Sequence, residues 1–127
     1  GKEGFEFHQQ PEGKVMTVDF EINGQKFQAL NGGPIFQFNE SISIVITCDT
    51  QMEIDTYWEK LTAQGGSEVQ CGWLKDKFGV SWQIVPAAFH EMINSADKAK
   101  SSRAMQAMFT MKKFDINALN RAYQGPN

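Results

Sequence analysis

The feature that most limits the fold is a period-two run closed by a turn pair. Met16, Val18, Phe20 and Ile22 alternate with Thr17, Asp19 and Glu21, and Asn23-Gly24 follows. Alternation puts one set of side chains on each face of a pleated strand, so it specifies a half-buried β-strand rather than a helix. Asn and Gly both accept the positive φ that a two-residue hairpin turn requires. Residues 25–30 are then the return strand, ended by Asn31-Gly32-Gly33-Pro34. The polar stretch 1–14, with Gly4, Pro11 and Gly13, reads as a loop or a ragged chain start.

A second alternation, Ile42, Ile44, Ile46 and Cys48 against Ser43, Val45 and Thr47, predicts another strand and gives Cys48 core parity. Thr50 and Glu53 have the spacing of a capping box. Ile54, Tyr57, Trp58 and Leu61 make one apolar helical face, and Gly65-Gly66 stops the helix. Residues 69–74 predict a strand, 75–79 a solvated turn carrying Lys75, Asp76 and Lys77, and 80–85 a last strand ended by Pro86. Helical patterns follow: a short helix within 87–96 and an amphipathic one over 97–112, where Met105, Met108 and Met111 are packing residues. Asp115 is placed to cap a final short helix, with Phe114 and Leu119 as a hydrophobic staple.

The hairpins echo each other. Gly24 is followed by Phe27 and Gln28, and Gly79 by Trp82 and Gln83, at the same spacing. Alternation puts each aromatic on the face expected to meet helices and each glutamine on the other. A repeated supersecondary unit explains the echo; coincidence is the plainer alternative.

Composition narrows the class. The chain has 127 residues, 41% hydrophobic and 21% charged, enough for one globular domain over 1–127 and too apolar for a disordered chain. No apolar run approaches the ~20 residues of a membrane span. A net charge of −3 argues against a nucleic-acid partner. Two cysteines are too few for a disulfide scaffold, and no secretory pattern opens at Gly1, so a reducing, cytoplasmic setting is expected.

The stretch 70–86, QCGWLKDKFGVSWQIVP, resembles the signature of PhnB-like proteins, also labelled 3-demethylubiquinone-9 3-methyltransferase domain proteins. Leu30-Asn31-Gly32-Gly33-Pro34 with Phe36 and Phe38 is similar too, as is the tail 103–108. These proteins belong to the vicinal oxygen chelate superfamily, with glyoxalase, bleomycin-resistance proteins and extradiol dioxygenases. The resemblance implies an α+β fold of paired βαβββ modules forming a cupped mixed sheet around a cavity. It divides the chain into a partial first module (1–40), a second module (41–86) and a C-terminal helical tail (87–127). The first module lacks its opening strand and helix, a piece of roughly 30 residues, so the chain reads as shortened at its start.

The resemblance also implies site positions. Metal-dependent members use His, Glu or Gln at matched strand positions, which fall here on Gln28, Ser43 and Gln83. Two amides and a hydroxyl suit a divalent metal poorly, and His8 and His90 lie outside the strands, so no metal and no cofactor are expected. Gln28, Ser43 and Gln83 are then polar residues lining a wet cavity. Cys71 is the most reactive residue type near it, but no histidine is close in sequence, which favours a structural thiol. Trp73 shares parity with Cys71 and is the aromatic candidate for stacking on a ligand. Trp82 has core parity and is expected on the helix carrying Trp58. Phe36 and Phe38 close the cavity or cover a partner subunit.

Three functions remain. The first is a metal-free small-molecule-binding protein acting as a homodimer; the second is an enzyme, metal-dependent or using Cys71; the third is an interaction protein. The methyltransferase label implies S-adenosylmethionine, yet no glycine-rich strand-to-helix turn of the nucleotide-binding kind is present.

Overall fold

Asn23 and Gly24 do adopt positive φ, 48° and 83°, and they join β1 (Thr17–Ile22) to β2 (Gln25–Leu30). The two strands are antiparallel, with Phe20 opposite Phe27 and Asp19 opposite Gln28. The computed structural model describes residues 10–126. Most of the loop expected over 1–14 therefore lies outside the described residues, and its end shows a turn at 12–13 before β1. The chain divides into two compact units, 1–37 and 38–127. In the first, every residue of β1 and β2 is exposed. Phe27, expected beneath a helix, instead stacks on Phe20 with ring centroids 5.4 Å apart and stays 37% exposed.

The second unit is α+β. It runs β3 (Ser43–Cys48), α1 (Gln51–Thr62), β4 (Ser67–Glu68), β5 (Trp73–Lys75) and β6 (Ser81–Pro86), which is one βαβββ module. The strand order is β3-β6-β5-β4, with β3 parallel to β6 and the other pairs antiparallel. The sheet is therefore mixed, because α1 carries the chain across while the hairpins return it. Three helices follow: α2 (Ala87–Ile93), α3 (Lys98–Met108) and α4 (Ile116–Gln124).

Caps fix the helix starts. The Thr50 hydroxyl accepts from Glu53 N–H, and the Glu53 carboxylate accepts from the N–H of Asp49, one residue earlier than a strict capping box. Asp97 and Asp115 cap α3 and α4 through Lys100 N–H and Ala118 N–H. The core face of the sheet carries Cys48, Leu74 and Ile84, packed with Ile54 and Trp58 of α1 and with Phe89, Met92, Ala104, Phe114 and Leu119 of the helical tail. Tyr57 is not on that face; it is 42% exposed. Trp82 packs at the edge of the core that Trp58 joins, and its indole N–H donates to Asp76 Oδ2.

Two local predictions fail where the backbone turns. Of the strand expected over 69–74 only residues 73 and 74 are strand, in β5; β4 ends before it, and a tight turn with Cys71 and Gly72 at φ 59° and 81° stands between the two. The turn docks on the tail: Cys71 N–H donates to Met111 O and Gly72 N–H to Lys112 O. A Cβ on Gly72 would collide with the edge of the Phe114 ring, so glycine is required both for its φ and for this close approach. Asp76 is not a solvated turn residue either. Its carboxylate accepts from Phe78 N–H, Val80 N–H and the Trp82 indole. Lys77 lies over the Phe78 ring and bonds Gln64.

Candidate functional site

Pleating sorts the residues of the mixed sheet onto two faces. Register aligns Ser43 with Ser81 and Lys75, and Val45 with Gln83 and Trp73, all on the face opposite Leu74, Trp82 and Ile84. The Gln83 side-chain amide donates to Ser43 Oγ at 2.9 Å. Ser43, Trp73 and Gln83 are half-buried, and Val45 is 51% exposed, so this part of the face is reachable. Val85, further along β6 on the same face, is buried. Lys75 pairs with Glu40, and that hydrogen bond holds the Glu40 carboxyl below the usual carboxylate range.

The other expected site residues fall elsewhere. Cys71 does not share a strand face with Trp73, because its left-handed backbone takes it out of the ladder. Its parity with Trp73 is thus lost, and its N–H is committed to the 111–112 segment. Cys48 is fully buried, and burial followed by the nearby Glu53 and Asp49 carboxylates raises its thiol pKa. Both cysteines are free thiols. Phe38 belongs to the same unit as the sheet and is 67% exposed. Gln28 and Phe36 belong to the first unit. Gln28 donates to Asp19 across the hairpin at 2.9 Å, and Phe36 is 90% exposed. His8 lies outside the described residues, and His90 is exposed on α2.

Sequence reasoning missed Ser81 and Lys75. Both lie in the Ser43 row, and the register that puts them there is a long-range property. Parity of Ser81 with Gln83 was the available signal.

A sequence model of the family described as 3-demethylubiquinone-9 3-methyltransferase matches residues 2–85. The chain belongs to this family. The match stops before the helical tail, so the likeness over 103–108 is not part of it. Among solved structures, the chain is similar to a PhnB protein from Bacillus cereus whose description carries the same methyltransferase label. Identity is 37%, the TM-score 0.54, and the match covers 61% of this chain and 68% of that one. It is also similar to protein PA1353 from Pseudomonas aeruginosa, at 21% identity, a TM-score of 0.47 and the same two coverages. No curated protein matches the chain. The chain is PhnB-like, and the βαβββ module of its second unit is the architecture that the resemblance implied.

Neither group implied by the resemblance fits these residues. A divalent metal wants imidazole, carboxylate or thiolate. The matched positions offer an amide already bonded to a hydroxyl (Gln83 and Ser43) and an amide bonded to Asp19 (Gln28). Among the described residues, no three His, Cys, Asp or Glu side chains converge as a metal site would require. For S-adenosylmethionine, the strand-to-helix turn Cys48-Asp49-Thr50 has no glycine. The Thr50 hydroxyl and the Glu53 carboxylate already take its nearby N–H groups. Among the described residues, no helix is long and apolar enough to cross a membrane.

Proposed function

We propose that this PhnB-like chain is a metal-free binding protein for a small organic molecule, of the vicinal oxygen chelate kind. The observation that carries the reading is the Gln83–Ser43 hydrogen bond beside Trp73 on a half-buried sheet face. A ligand there meets an aromatic plate for stacking and fixed polar groups for orientation, the usual composition of a small-molecule site. Gln28 and Phe36 in the first unit, and Phe38 and Cys71 in the second, stay proposed ligand-binding positions, each within its own unit. The working form is a homodimer in the cytoplasm, without nucleic-acid or membrane partners. Its support is the exposure of the hairpin, where Val18, Phe20, Ile22 and Leu30 are 52%, 43%, 41% and 68% exposed. A lone two-stranded sheet is at best marginally stable in water, so a covering surface is needed.

Native mass spectrometry of freshly purified protein tests this. A dimer without stoichiometric metal, carrying a small molecule that leaves on Trp73→Ala, is the expected result. Stoichiometric metal, or a melting temperature raised several degrees by zinc, nickel or manganese, would overturn the metal-free reading.

A further inference from the structure

Register sets one polar row across the mixed sheet. Ser43 of β3 pairs with Ser81 of β6, Ser81 with Lys75 of β5, and Lys75 with Ser67 of β4. Adjacent strands lie about 4.8 Å apart, so Ser81 sits between Ser43 and Lys75 in the row. Ser81 is 1% exposed, and its hydroxyl has no hydrogen-bond partner. Buried polar groups are nearly always bonded, so an orphaned hydroxyl in a polar row points to an absent partner.

The neighbours are donors as well. Ser43 Oγ accepts from Gln83 and so keeps its own proton to give. Lys75 has three N–H groups and an ion pair with Glu40. A row of donors is matched by a ligand group that only accepts, and a carboxylate is such a group. Trp73, one row away on the same face, supplies a flat apolar surface.

Resting on the reading that this face holds a small molecule, we propose that it takes a planar carboxylate. The oxygens meet Ser81 and Lys75, the ring lies along Trp73, and Glu40 is the internal competitor for Lys75. Glu40 occupies the ammonium when the site is empty and yields it when the ligand arrives. The exchange leaves the number of ion pairs unchanged and gives Ser81 its missing partner.

The test uses benzoate and its neutral counterpart benzamide, titrated into the 127-residue chain and followed at the Trp73 indole N–H by NMR. Benzoate should bind at least tenfold tighter than benzamide. Lys75→Met should remove that preference, Ser81→Ala should weaken benzoate severalfold, and Glu40→Gln should tighten it severalfold. Equal binding of the two probes overturns the carboxylate assignment while leaving a binding face. Binding of neither overturns it too, and a molecule retained in native mass spectrometry then decides the broader reading separately. Unchanged benzoate affinity in Glu40→Gln overturns the competition. If Lys75→Met fails to fold, Lys75→Gln, which removes the charge and keeps a polar side chain of similar length, should likewise abolish the preference, and a preference kept in it overturns the assignment.

Discussion

The hairpin 17–30 and the mixed sheet 43–86 are both built from alternating strands, yet they are held in different ways. The hairpin is fixed by its own sequence: a two-residue turn, the Phe20–Phe27 stack and the Asp19–Gln28 bond all lie within it. None of its strand residues is buried. The mixed sheet has Cys48, Leu74 and Ile84 fully buried under α1 and the helical tail. Local pairing can therefore specify register without supplying much stability, because each cross-strand pair is worth only about 0.2–1 kcal/mol. Core burial contributes more, about 1.5–3 kcal/mol per large apolar side chain.

That contrast can be broken most sharply at Phe114. Phe114→Ala should cost about 3–5 kcal/mol, because it empties the core where the ring meets Phe89 at 5.1 Å and abuts Gly72. Denaturant unfolding measures this; a loss under 1 kcal/mol would mean that the tail is not integral to the module. Gly72→Ala should be destabilising by about 2–5 kcal/mol, from the positive φ and the collision with the ring together.

Gln51 gives an intermediate case. Its amide donates to Phe114 O and accepts from Ile116 N–H, both at 2.9 Å, joining α1 to the chain entering α4. Gln51→Ala should cost about 1–3 kcal/mol and lower the melting temperature.

In the hairpin, Phe27→Ala should cost about 0.5–1.5 kcal/mol, read as faster amide exchange over 17–30 with little change over 81–86. If a second copy covers the hairpin, its amide protection rises with protein concentration while that of β6 does not. Equal protection in both at all concentrations would erase the comparison.

The smallest effect is titration. The folded Cys48 thiol has a raised pKa, so its contribution is complete below the unfolded value of 9.0 and is lost as pH rises above it. Asp55 is shifted the other way, first by its hydrogen bond from Lys113 and then by that from Gln51. Its contribution is present above pH 3.8 and is lost as pH falls through the lowered folded value. Stability curves of Cys48→Ala and Asp55→Asn should flatten at the alkaline and acid ends respectively.

Much of this was legible in the residues. The Asn23-Gly24 turn, the alternations at 16–22 and 42–48, and the caps at Thr50 and Asp115 are local devices, and they do the same thing in any surroundings. The family likeness in 70–86 located the sheet that carries Ser43, Trp73 and Gln83. Parity on β6 correctly opposed Gln83 to Trp82.

Parity failed at Cys71, because alternation holds only while φ stays in the β region and residues 71–72 leave it. What forces them out is a contact with 111–112 and with Phe114, about 40 residues away in the chain and invisible to any local window. The same holds for Ser81 and Lys75. Sequence alone determined that each strand has two faces. Only the tertiary pairing of β3 with β6, β6 with β5 and β5 with β4 decided which residues stand side by side on them, because register between distant strands is set by packing.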